Sequence, residues 1–221
     1  EGAELVNRLQ NGGKFPMFTS CCPGWITYAK NKHPELAENI STCRSPMGMF
    51  GAVLRDYFSG ENGLDAKDGK KTFSIAVMPC TAKKLEAGWD EMDVETGKDI
   101  DLVLTTQEIA RMIRESGIDF LSVVPEAPDM PFGLTSGAGV IFGVTGGVTE
   151  AVLRNLAGSS DRDTLQQVAF NGVRGMDGVK EATANVGGRD VRVAVVHGLH
   201  NAEQLIQDMQ SGKRQYDFVE V

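Results

Sequence analysis

Two short apolar runs in this chain end at cysteine. FPMFTS carries the backbone to Cys21 and Cys22, and SIAVMPC stops at Cys80. Each run is brief, and a turn or a helical stretch follows it. Each is therefore predicted as a strand whose C-terminal end delivers sulfur into a loop. The same alternation continues along the chain. WITYAKNKHPEL reads as a helix, LVLTT as a strand before helical QEIARMIRESG with Thr106 as its N-cap, and VAFNGV, VRVAVV and YDFVEV as strands around helical NAEQLIQDMQSG. The opening ELVNRLQ places Leu5 and Leu9 at helical spacing and ends at Asn11-Gly12-Gly13, a stop signal. Repeated strand and helix predict an α/β fold of two lobes, with mostly parallel sheets flanked by helices. Loops at the strand C-termini would then line an active-site cleft between the lobes.

MGMFGAVLRDYF has the period of a helix with one buried face, formed by Met49, Phe50, Val53, Leu54 and Phe58. The hydrophilic run SGENGLDAKDGKKTF is the clearest break in composition and marks a lobe boundary near 59–71 within a domain spanning 1–221. The proline-rich DFLSVVPEAPDMPFG is predicted as a surface loop.

Charge excludes one class of partner. With 22 Lys and Arg against 30 Asp and Glu, the net charge is -8, whereas nucleic-acid binding needs a basic surplus. No apolar run reaches the roughly 18 residues of a membrane span, and the first residues lack a signal-peptide profile. A cytoplasmic protein is expected, with a periplasmic one left open because a fragment hides its own targeting signal.

Four cysteines, two of them adjacent, do not suit a secreted disulfide scaffold, and the three histidines do not join them at zinc-finger spacing. His33, His197 and His200 read as surface or capping residues. TSCCPGW admits two readings: reactive thiols that bind iron or carry protons, or small buried hydrophobes. In VMPCTAKK the lysine pair by itself reads as the start of a solvated helix. Glu1 and Glu4 by themselves read as solvated acids of a first helical turn. Cys43 reads as a buried core thiol.

Taken in order, TSCCPGW, SPMGMFGAV, VMPCTAKKLEA, LTTQEIARMI and SGAGVIFGVTGGVTEAVLR resemble the catalytic domain of FeFe-hydrogenases, from Glu1 to Val221. The resemblance implies an H-cluster, a 4Fe-4S cubane joined to a two-iron centre with carbonyl, cyanide and dithiolate ligands. It implies Cys22 and Cys80 as cubane ligands and Cys21 as the thiol that passes protons to the two-iron centre. Glu1, Glu4 and Ser41 align with the outward proton path. Lys83 aligns with the lysine that donates to a cyanide, and Met78, Pro79, Ser45, Pro46, Met47 and Phe142 with the lining of the pocket. Many members have glutamine where this chain has Met47. The family's third cysteine signature follows a strand like YDFVEV, so this chain by itself is expected to lack a full ligand set and activity.

The implied reaction is the reversible conversion of dihydrogen to protons and electrons, exchanged with ferredoxin or a similar carrier. A small subunit or NADH-linked subunits and maturation proteins are the implied partners. Two rivals stand beside it: a relative serving iron-sulfur assembly or regulation, and a thiol redox protein using Cys21 and Cys22. GxGxxxG from Gly137 to Gly143 is neither a dinucleotide nor a Walker fingerprint.

Overall fold

The structure is a computed structural model that describes residues 1–59, 63, 65, 67, 69, 71–94, 97–130, 132–157, 178–186 and 188–221. The chain divides into two compact units, Glu1–Cys43 with Met130–Val221, and Arg44–Asp129.

In the first unit, helix α1 (Gly2–Asn11) ends at Gly12, whose φ of 86° is positive backbone that glycine adopts without a Cβ clash. Strand β1 (Met17–Phe18) follows, then helix α2 (Pro23–Lys32). Pro34 then stops the helical pattern, so His33 caps α2 and a 3₁₀ turn covers Pro34–Asn39. The glycine-rich segment makes two helices, α6 (Gly137–Ile141) and α7 (Gly147–Ala157). Strands β6 (Val179–Val186) and β7 (Arg189–Val196), helix α8 (Leu199–Gln210) and strand β8 (Phe218–Glu220) complete the unit.

Its sheet has the order β1-β8-β7-β6, with β1–β8 and β8–β7 parallel and β7–β6 antiparallel. Because strand side chains alternate, Val191, Val193 and Val195 share one face and pack with Phe218, Met17, Leu5, Val152 and Leu153. Phe218 is fully buried, and truncating it to alanine removes about 3–5 kcal/mol. Strand β6 was not among the expected elements, although its Val and Ala alternate with polar residues before a glycine turn. The expected strand VAFNGV lies outside the described residues.

In the second unit, helix α3 (Pro46–Ser59), strand β2 (Ile75–Met78), helix α4 (Ala82–Glu86), strands β3 (Asp93–Val94), β4 (Gly97–Lys98) and β5 (Leu102–Thr105), and helix α5 (Thr106–Glu115) succeed one another. Strands β2 and β5 pair in parallel, Ile75 beside Leu102 through Met78 beside Thr105. Strands β3 and β4 form a small antiparallel pair. The segment 59–71 falls within this unit, and much of it lies outside the described residues. Pro125 and Pro128 lie in exposed, irregular chain, as expected.

Two local expectations are corrected here. The N-cap of α5 is Thr105, not Thr106: its hydroxyl accepts from Glu108 N while Glu108 accepts from Thr105 N, a capping box that needs an acid three residues on. Helix α3 also buries a different face. Met47, Gly48, Gly51 and Arg55 are buried, whereas Met49, Phe50 and Val53 are 45–55% exposed. The reason is close packing: a Cβ on Gly51 would lie 2.8 Å from Asp99 O, so the glycine edge faces the Asp99–Ile100 backbone. Arg55 then donates to Lys98 O, Thr72 O and Asp101 on that side.

Among the described residues no helix is long and apolar enough to cross a membrane.

Candidate active site

The strand exits deliver the cysteines as the sequence predicts. In the first unit β1 runs into Thr19, which is fully buried, and then into Ser20, Cys21 and Cys22. Cys22 is the N-cap of α2, with φ -101° and ψ 107°, and its Sγ accepts from Trp25 N at 3.5 Å. Pro23 supplies the first helical residue, where a missing N–H costs nothing. A hydrogen bond from a backbone amide to cysteine sulfur is one way a protein tunes a bound iron-sulfur cluster. In the second unit β2 runs through Pro79 to Cys80, both exposed. None of the four cysteines is in a disulfide.

These features fit an iron-sulfur group: two thiols at strand exits, one with its amide donor in place. Among the described residues no three or more His, Cys, Asp or Glu side chains stand together ready for a metal ion.

Cys21 is half-buried, and its thiol is pushed up to about 12. Desolvation is the main cause, followed by the carboxylates of Glu1 and Glu220 and the neighbouring Cys22, with a Thr19 hydrogen bond opposing them. At neutral pH Cys21 therefore holds a proton and does not accumulate as thiolate.

The acids of α1 fall into the same unit. Glu1 Oε1 accepts from Ser20 N at 3.0 Å and lies 3.2 Å from Ser20 Oγ, one residue before Cys21. Glu4 Oε2 accepts from Ser41 Oγ at 2.7 Å, and Thr42 N donates to the same carboxylate. Arg8, one turn on, donates to Glu4 Oε1 at 2.7 Å while also reaching Glu38 O and Ile40 O. Burial alone would raise the Glu4 carboxyl, but the Ser41, Arg8 and Thr42 bonds outweigh it and hold it below the usual carboxylate value. Glu1, Glu4, Ser41 and Cys21 are thus gathered on neighbouring segments.

Cys43 departs from the expected core thiol. It is half-buried, its Sγ 3.9 Å from Glu4 Oε2 and its carbonyl accepting Ser20 Oγ at 2.6 Å, because the chain there turns around the α1 acids instead of entering the apolar cluster.

In the second unit Lys83 on α4 is buried and donates to Glu86 at 2.6 Å. Ser45 is buried and its Oγ accepts from Gly48 N at the start of α3, with Pro46 as first residue. Met47 packs with Ile100 and Val103, and Met78 borders that cluster. Phe142 belongs to the first unit, at the end of α6, and is 40% exposed.

Four functional candidates escaped the sequence reading. Arg8 and Glu86 sit at helical spacing from Glu4 and Lys83, a signal that was available. Ser20 had no signal beyond its place beside Cys21. Glu220, a buried acid inside an apolar strand, had none.

The profile described as "Iron only hydrogenase large subunit, C-terminal domain" matches residues 1–221. The chain is 42% identical to iron hydrogenase 1 of Clostridium pasteurianum, over 100% of this chain and 38% of that protein. It is 44% identical to the periplasmic Fe hydrogenase large subunit of Nitratidesulfovibrio vulgaris, over 100% of this chain and 52% of that one. A probable cytosolic Fe-S cluster assembly factor of Nematostella vectensis is more distant, at 32% identity over 99% of this chain and 51% of that protein. Among solved structures, an apo FeFe-hydrogenase of Chlamydomonas reinhardtii matches with a TM-score of 0.77 and 35% identity, covering 99% of this chain and 62% of that one. The chain thus spans about half, or less, of the curated relatives it matches, and shares their α/β architecture of mostly parallel sheets and helices. It belongs to the C-terminal, H-cluster domain family of iron-only hydrogenase large subunits.

Proposed function

We propose that this chain is catalytic-domain sequence of an enzyme that interconverts dihydrogen with protons and electrons. The observation that carries this reading is the set around Cys21: a half-buried thiol beside Cys22, with Ser20 hydrogen-bonded to Glu1 and Ser41 to Glu4 on neighbouring segments. A scaffold for cluster assembly needs no such proton-bearing set, which favours the hydrogenase reading over the assembly or regulatory one. A thiol redox pair of Cys21 and Cys22 leaves Cys80 and Lys83 without a role.

In this reading Cys22 and Cys80 supply two of the thiolates that hold the cubane. The H-cluster, when bound, supplies the splitting and formation of dihydrogen and the outlet for electrons. The chain's own residues bind, insulate and move protons. Cys21 holds the proton nearest the cluster, and Glu1 and Ser20 stand next in line. Ser41 and Glu4 continue the path outward, with Arg8 keeping Glu4 charged and oriented. Lys83 presents a positive donor for a cyanide ligand, held in place by Glu86. The family resemblance assigns Met78, Pro79, Ser45, Pro46, Met47 and Phe142 to the lining of the cluster pocket. Electrons leave to ferredoxin or a similar carrier, and a small subunit or NADH-linked subunits complete the assembly.

The test is anaerobic maturation of the full-length parent protein, followed by infrared spectroscopy and a hydrogen-evolution assay. Cyanide and carbonyl bands with hydrogen evolution are expected. Bound iron and sulfide with neither bands nor turnover would favour the assembly or regulatory reading instead.

A further inference from the structure

Glu220 is an acidic side chain in the last strand of the first unit, only 7% exposed. Its two oxygens are both in use. Oε1 accepts from Gly146 N at 2.9 Å and Oε2 from Thr149 N at 2.7 Å. Gly146 O accepts from Glu150 N, which makes Gly146 the N-cap of α7. A glycine has no side chain with which to satisfy the free amides of a first helical turn. The acid on β8 supplies that acceptor from outside, where the helix dipole also favours a negative charge.

The helix start so fixed follows directly on the glycine-rich turn. Gly146 has φ of 85°, and a Cβ on Gly147 would come within 1.8 Å of Ile141 O. The chain between Ile141 and Gly147 is therefore wound tightly, with Val144 N on Ile141 O and Gly147 N on Val144 O. Phe142 sits in that turn. On its other side Glu220 is tied to the cysteine loop. Val219 O accepts from Thr19 N, and Val221 N donates to Thr19 Oγ1 at 3.3 Å, two residues before Cys21.

We propose that Glu220 is a positioning residue, whose paired bonds to Gly146 and Thr149 hold the glycine-rich turn and Phe142 in register with the strand end that carries Cys21. The idea rests on the hydrogenase reading for its consequence, since the turn and the Cys21 loop are both assigned there to the protein wall around the cluster. The capping geometry itself does not depend on that reading.

The experiment uses the matured full-length enzyme with Glu220→Gln. The amide keeps the shape of the side chain but replaces one acceptor oxygen with an NH₂ group, so one of the two backbone donors loses its partner. Removing a bond to a charged group is worth roughly tenfold or more in a local equilibrium. Iron content should equal that of wild type. Amide hydrogen exchange over residues 144–150 should rise about tenfold or more, the carbonyl and cyanide bands should shift or broaden, and turnover should fall by a similar factor. Glu220→Asp keeps the charge but draws the oxygens back by one carbon, and carries the same expectation should the glutamine variant fail to accumulate.

Exchange at 144–150 unchanged from wild type would overturn the clamp. Faster exchange with bands and turnover unchanged would overturn the positioning role, leaving a cap that serves only the fold. A wild-type enzyme without bands or turnover would instead count against the hydrogenase reading, while the exchange comparison would still decide the clamp.

Discussion

Lys83 and Glu86 form an ion pair one helical turn apart, 2.6 Å from Nζ to Oε2, with both side chains at most 10% exposed. Removing one member of such a buried pair strands the other. Lys83→Met should lower the stability of the parent enzyme by about 3–5 kcal/mol, and Lys83→Met with Glu86→Leu should recover much of that loss. Thermal or denaturant melts of the two variants check this. Equal destabilisation by the single and double variants would show that the pair is not the source.

Ser41 donates to Glu4 at 2.7 Å, and the bond is one of those that keep Glu4 charged. In the proposed proton path, Ser41→Ala should slow turnover about tenfold and Glu4→Gln about a hundredfold, because general acid-base steps contribute about 10²–10⁴. Iron content should not change in either. Steady-state hydrogen evolution with iron counting separates the two effects.

His33 joins α2 to α8 through Glu203, its Nε2 2.6 Å from that carboxylate, with Glu35 on Nδ1. Burial alone would lower the imidazole, but these hydrogen bonds and charges outweigh it and raise its pKa. Glu203, bonded by Tyr28, His33 and Gln207, is held down to about 2. The sign follows from linkage. A raised folded-state histidine contributes stability that is complete below its unfolded value of about 6.5 and is lost as pH rises through the folded value. The melting temperature should fall modestly between about pH 6 and about pH 8, and His33→Gln should flatten that slope. A slope unchanged in the variant would assign the pH dependence elsewhere.

Cys80 is an exposed thiol at the end of β2. In the proposed function it is a cubane ligand and cannot be spared. Cys80→Ala in the parent enzyme should reduce iron content and abolish the cluster's paramagnetic signal, whereas Cys43→Ala should leave both in place. Full iron retention in Cys80→Ala would contradict the ligand assignment.

Much of the architecture was legible because period and punctuation act locally. Apolar runs ended by cysteine gave β1 and β2, and Gly12 closed α1. The errors arose where tertiary contacts decide. Helix α3 carries more apolar bulk on the face it exposes than on the face it buries, where Gly51 allows close approach of the Asp99 backbone. Thr105 and Thr106 are equivalent as letters, and only Glu108 three residues on distinguishes the cap. Cys43 and Glu220 could not be placed from spacing at all. The partners of each, the α1 acids and the start of α7, are distant in sequence.

The most direct test of the account is Cys21→Ser in the matured full-length enzyme, read by infrared spectroscopy and hydrogen turnover together. Carbonyl and cyanide bands and iron content close to wild type are expected, with turnover reduced about a hundredfold or more. Turnover equal to wild type would contradict the proton-carrying role of Cys21 and, with it, the reading of Glu1, Ser41 and Glu4 as its path.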